Sequence, residues 1–134
     1  MPRNVMILGC GRVGAMVAKA LAAEGDDVIV IDRDADNFRR LAEAPNLRMI
    51  VADGTSSEEL RRCGIEGVDA FISLTAQDTV NALAAQMAQL SFGVASVVCR
   101  INDPIRRAMY DELGLRTVSP PQVMTDLVLE ALGS

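Results

Sequence analysis

Short apolar runs alternate with longer segments of helical spacing along the whole chain. Residues 4–8 (NVMIL), 28–32 (VIVID), 47–52, 69–74 (DAFISL), 95–101 (ASVVCRI) and 115–119 are nearly continuous apolar stretches. Such runs mark strands covered on both faces rather than on one. Between them lie segments with apolar residues three and four apart. Residues 12–24 place Val13, Met16, Val17, Ala20 and Leu21 on one stripe, and Gly25 follows as a stop. Residues 36–43, 57–63, 78–90, 104–113 and 121–132 read as further helices, with Val80, Leu83, Ala84, Met87 and Leu90 on one face of the 78–90 segment. Strict strand–helix alternation with short connections predicts an α/β fold: a Rossmann-like, doubly wound, parallel six-stranded sheet with helices on both faces. The 134 residues suit a single domain, with 120–132 as a terminal helix.

Composition sharpens this picture. Half of the residues are apolar, but only three Phe and one Tyr are aromatic, so the core must be aliphatic. Single-strand nucleic-acid platforms need stacking rings, and these are lacking. Thirteen basic against 18 acidic residues give a net charge of −5, which argues against a phosphate-tracking nucleic-acid surface. Histidine is absent, so no imidazole base or ligand is available. Cys10, Cys63 and Cys99 are odd in number and widely spaced, as expected of reduced thiols. No apolar run approaches the length of a membrane span, and the first residues lack the features of a signal peptide. The expectation is a soluble cytoplasmic protein.

The candidate chemistry begins at Gly9-Cys10-Gly11-Arg12-Val13-Gly14, a GxGxxG string that follows a strand and opens a helix. In that context the string has a mechanism. Gly9 permits the tight turn, Gly11 lets the backbone approach a pyrophosphate, and Gly14 lets helix pack closely on strand. The N–H groups at the helix start then face the phosphates. Asp32 ends the second strand, where a carboxylate accepts ribose hydroxyls and repels a 2′-phosphate; Arg33 beside it weakens that preference. Asp53 and Thr55 follow the third strand, either flanking adenosine or, for Thr55 or Ser56, capping the next helix. Thr75 follows the fourth, and Asp78 is either a cleft residue or a helix cap. Arg12 either reaches a terminal phosphate or is a solvated first-turn residue. Arg100, near the end of the fifth strand, needs an anion, either a phosphate or a carboxylate such as Asp78. Arg106 and Arg107 read as a solvated face.

Taken in order, GCGRVG, VIVIDRD, VADGT, ISLTAQDTVN and CRINDPIRRAMYDELG resemble the RCK/KTN nucleotide-binding domain of TrkA-N type, over residues 3–132. That family supplies regulators of Trk/Ktr potassium uptake and of ligand-gated potassium channels. The resemblance implies a sensor rather than an enzyme: NAD(H), ATP or ADP in the cleft changes a dimer that acts on a membrane transporter or channel from its cytoplasmic side. It implies Gly9, Gly11, Arg12, Val13 and Gly14 as the phosphate loop, Asp32 with Arg33 at the ribose, Asp53 and Thr55 beside the adenosine, and Thr75 and Arg100 lining the cleft. It also implies that the stripe of Val123, Met124, Leu127, Val128, Ala131 and Leu132 crosses to a partner subunit, where packing on its own sheet is the alternative. Many members continue into a carboxyl-terminal ligand-binding domain, so the chain is either a stand-alone subunit or part of a longer one. The competing readings are a small NAD-dependent oxidoreductase and a nucleotide-independent scaffold. Against the oxidoreductase, Tyr110 has Gly114, not lysine, four residues on.

Overall fold

In the computed structural model, which describes residues 2–134, six parallel strands form one sheet in the order β3-β2-β1-β4-β5-β6. The strands are β1 (Asn4–Leu8), β2 (Asp27–Asp32), β3 (Leu47–Val51), β4 (Ala70–Ser73), β5 (Ser96–Arg100) and β6 (Arg116–Val118). The helices are α1 (Arg12–Ala23), α2 (Ser57–Arg62), α3 (Asp78–Gln86), α4 (Pro104–Glu112) and α5 (Pro120–Leu132). β1 pairs with β2 on one side and β4 on the other, with Leu8 opposite both Ile31 and Ser73. The chain thus reverses its direction of winding beside β1, and a crevice opens at the carboxyl ends of β1 and β4.

Both faces of the sheet are covered. Val5 and Ile7 of β1 pack with Ala15, Ala18, Val28 and Val30. Met6 and Leu8 point the other way, onto Ile31, Leu60, Phe71, Ala84 and Ala88. This two-sided burial explains the unbroken apolar runs. Burying one such aliphatic side chain is worth about 1.5–3 kcal/mol, and these clusters supply most of the drive to fold. The cysteines belong to this interior, and burial pushes the Cys99 thiol up to about 11. Among the described residues, no helix is long and apolar enough to cross a membrane.

The sequence reading needs correction in several places. Residues 36–43, expected as a helix, form a 3₁₀ turn over Ala35–Arg40, capped by the Asp34 carboxylate on the Asp36 N–H at 3.0 Å. The turn stops because Leu41 is extended and joins the core. The helix expected over 78–90 is α-helical only to Gln86; a π turn over Met87–Ser91 follows, and Phe92 N–H donates to Met87 O at 3.1 Å. Leu83 is exposed, and Leu90, seven residues on, is 79% exposed, so this face turns to solvent while Asn81, Ala82, Ala84 and Ala85 face inward. On α1 the inward face is Gly14, Ala15 and Ala18, while Val13 and Met16 face out. The small residues face the sheet because the glycine loop brings the helix start against the end of β1. A 3₁₀ turn over Ile65–Gly67 had no counterpart in the sequence reading. No residue of α5 is buried, so its apolar stripe does not pack on its own sheet. Arg106 is solvated as expected, but Arg107 donates to Thr117 Oγ1 at 3.1 Å.

Candidate functional site

At the crevice beside β1 the loop from Gly9 to Gly14 turns sharply. Gly9 has φ +102°, and a β-carbon there would lie 2.9 Å from Thr75 N, so both conformation and space demand glycine. A β-carbon on Gly14 would stand 1.9 Å from the Gly9 carbonyl oxygen. Gly11 is different: its missing side chain points into open space, with nothing within 4 Å. Gly11 caps α1 without a side-chain hydrogen bond, and the first turn carries no acidic residue. The helix start therefore presents N–H groups and a positive dipole end with no side chain occupying them.

The loop is tied to β2 at two points. Gly9 N–H donates to Ile31 O at 2.8 Å, and Cys10 N–H donates to Asp32 Oδ2 at 2.8 Å. Asp32 Oδ1 accepts from Asp34 N–H at 2.8 Å and from Asn37 Nδ2 at 3.1 Å. The carboxylate thus holds the loop as well as facing the crevice. Burial, and next the Asp32 charge, push the Cys10 thiol up, which keeps it neutral between the two glycines.

The crevice is a cavity of about 340 Å³ at the carboxyl ends of the strands. Of the residues singled out in the sequence, Gly9, Gly11, Asp32, Arg33, Asp53, Thr55, Thr75 and Arg100 line it. Arg12 and Val13 are exposed on the first turn of α1 outside that wall, and Gly14 is buried against the loop. Gly54, Ala76 and Gln77, from the segments after the third and fourth strands, also line the cavity, as do Leu8, Asn37, Leu74 and Val80, which were not anticipated. Gly54 had a signal, the DGT string itself: a β-carbon there would meet the Leu8 side chain at 2.4 Å.

Two carboxylates and two guanidinium groups share this cavity. Asp53 Oδ1 accepts from the Thr55 hydroxyl at 2.6 Å and its N–H at 2.9 Å, which holds the Asp53 carboxyl below the usual carboxylate range. Ser56, not Thr55, caps α2, accepting from Glu59 N–H at 3.2 Å. Behind the opposite wall, Asn81 is fully buried and satisfied on all four valences. Its Oδ1 accepts from Thr75 N–H at 2.9 Å and the Thr75 hydroxyl at 2.7 Å; its Nδ2 donates to Thr75 O at 2.9 Å and Arg100 O at 3.0 Å. Asp78 is neither a cap nor a cleft residue. It is the first residue of α3, and its carboxylate accepts from Asn102 N–H at 2.8 Å and Asp103 N–H at 3.0 Å. Arg100 does not meet Asp78; its Nε donates to Asn102 Oδ1 at 3.2 Å.

Comparison with known proteins agrees with this architecture. The profile of the TrkA-N domain matches residues 5–121. A Trk system potassium uptake protein TrkA from Streptomyces coelicolor is 40% identical over 129 residues, covering 96% of this chain and 58% of that protein. The chain therefore spans little more than half the length of that relative. The crystal structure of the TrkA-N domain of inner membrane protein ybaL from Escherichia coli superposes with a TM-score of 0.86 at 18% identity, covering 98% of both chains. The Kef CTD of Shewanella denitrificans in AMP-bound form superposes with a TM-score of 0.81 at 19% identity, covering 97% of this chain and 80% of that one. At such identities the two structures speak for the fold, while the profile and the closer sequence speak for descent: the chain belongs to the TrkA-N domain family.

Proposed function

We propose that this chain is the nucleotide-sensing domain of a regulatory subunit that controls a potassium transporter or channel, and that it binds NAD(H) or ATP/ADP in the crevice beside β1. One observation carries the reading. An uncapped helix start with an open Gly11 side lies directly beside Asp32, so phosphate and ribose recognition meet at one place. Gly9, Gly11 and Gly14 shape the phosphate path, with Val13 in its first helical turn. Arg12, exposed on the same turn outside the cavity wall, is the group for a terminal phosphate of its own nucleotide or a neighbour's. Asp32, Arg33, Asp53 and Thr55 form the adenosine side, and Thr75 and Arg100 the facing wall. The name of the Streptomyces coelicolor relative supports the link to potassium uptake, and the AMP-bound Kef domain supports an adenine nucleotide in this fold.

The role is regulatory rather than enzymatic. The cavity offers carboxylates, guanidinium groups and hydroxyls, but no imidazole to move a proton at neutral pH. The domain works from the cytoplasmic side of the membrane through a transporter partner, as a homodimer or larger ring in which α5 crosses between subunits. Differential affinity of nucleotides for two dimer geometries would then drive the partner.

Melting the protein with NAD⁺, NADH, ATP, ADP and AMP tests the reading. A ligand at 100 times its Kd stabilises by about 2.7 kcal/mol, which appears as a rise in Tm of several degrees. Stabilisation by an adenine nucleotide with no consumption of NADH is expected. Loss of NADH absorbance with a carbonyl substrate would point to an oxidoreductase, and no shift with any nucleotide to a scaffold.

A further inference from the structure

The hydrogen bonds around Asp32 leave a ribose only partly served. A carboxylate offers about four lone-pair positions. Asp34 N–H and Asn37 Nδ2 take two on Oδ1, and Cys10 N–H takes one on Oδ2. One position remains, whereas a ribose brings two hydroxyls.

Asn37 supplies what is missing. It lines the same cavity as Asp32 and is half-buried there. Its amide is wedged between opposite charges: Nδ2 donates to Asp32 Oδ1 at 3.1 Å, while Oδ1 accepts from Arg40 Nη1 at 3.1 Å. The reverse orientation would set a carbonyl against a carboxylate and an NH₂ against a guanidinium, so the charges fix which way the amide points. The same Arg40 nitrogen reaches Cys10 O at 3.4 Å, closing a ring of Cys10, Asp32, Asn37 and Arg40 around the glycine loop. Among the described residues, the second N–H of Asn37 meets no acceptor.

We infer that Asn37 is a specificity-determining residue that shares the ribose diol with Asp32. Asp32 accepts from one hydroxyl, and the unused N–H of Asn37 donates to the oxygen of the other. Arg40 is a positioning residue that holds the amide in this orientation. The inference rests on the nucleotide reading of the crevice and adds to it a preference for ribonucleotides over their deoxy counterparts, read by a donor and an acceptor on separate side chains.

Calorimetry with AMP, 2′-deoxy-AMP and 3′-deoxy-AMP tests this on the wild-type protein and on Asn37→Ala and Asn37→Leu. Asn37→Leu roughly keeps the size of the side chain but can neither donate to nor accept from a hydroxyl. The wild type is expected to bind each deoxy compound on the order of fivefold more weakly than AMP. In both variants that penalty should disappear for one of the two hydroxyls and persist for the other. Both penalties retained in folded variants, even with weaker binding overall, would reduce Asn37 to a structural role and overturn the inference. No heat from wild type with AMP would instead remove the nucleotide reading itself, and this inference with it.

Discussion

Gly11 and Gly14 stand three residues apart in one loop, yet an added methyl group should do opposite things at the two positions. At Gly14 the new carbon meets the Gly9 carbonyl oxygen at 1.9 Å, and backbone must move on both sides. Gly14→Ala should cost about 3 kcal/mol, seen as an earlier midpoint in urea unfolding. At Gly11 the carbon enters open space, and its φ of −77° suits alanine. Gly11→Ala should leave stability within about 1 kcal/mol of wild type while nucleotide affinity, read by calorimetry, falls on the order of tenfold or more. Glycines of this kind are legible in sequence because their spacing encodes a steric demand. The polar partners are less so. Asp32 could be picked out by its place at a strand tip, but the residues that fix it, Asn37 and Arg40, could not. Their side chains converge only because residues 35–40 form a 3₁₀ turn, and a turn of another pitch would send them elsewhere.

Among the elements, the strands were the most legible. β1 lies where the apolar run places it, and the others agree to within one or two residues at each end. A strand buried on both faces has no polar position to blur its pattern. The ends of helices were harder to read, because they answer to distant parts of the chain. Asp78 at the start of α3 has the residue type of a cap, but its carboxylate reaches across to the loop after β5 and takes the N–H groups of Asn102 and Asp103. That bond is a tertiary fact with no local sequence signature. Asp78→Ala should leave α3 helical, since the carboxylate makes its hydrogen bonds to Asn102 and Asp103 and none to that helix. The amides of Asn102 and Asp103 should then exchange with solvent on the order of 10–100-fold faster, as measured by hydrogen exchange. Unchanged protection there would mean that the loop holds its shape without the carboxylate. The π turn after α3 was likewise hidden. A single extra residue in a turn leaves the apolar spacing of 80–87 intact, so the local pattern carries no sign of it.

At the scale of the molecule, strict strand–helix alternation made a doubly wound, parallel six-stranded sheet legible before any coordinates. The strand order, which sets where the winding reverses, was not read from the sequence. What stands apart from the sheet is α5. Val123, Met124, Leu127 and Val128 are between 46% and 64% exposed, an apolar stripe that a lone chain leaves in water. If a second subunit covers it, Leu127→Asp should shift the mass seen by light scattering toward the monomer while the melting of the sheet changes little. An unchanged mass would return α5 to a peripheral helix.

The crevice lies along the seam between β1 and β4, and its two banks come from separate stretches of chain. The glycine loop, Asp32, Asn37 and Asp53 belong to the first stretch, and Thr75 and Arg100, with Asn81 buried behind them, to the second. Each bank is braced internally, one around Asp32 and the other around Asn81. Substitutions on one shore can therefore reshape the crevice without undoing the hydrogen bonds that brace the opposite shore.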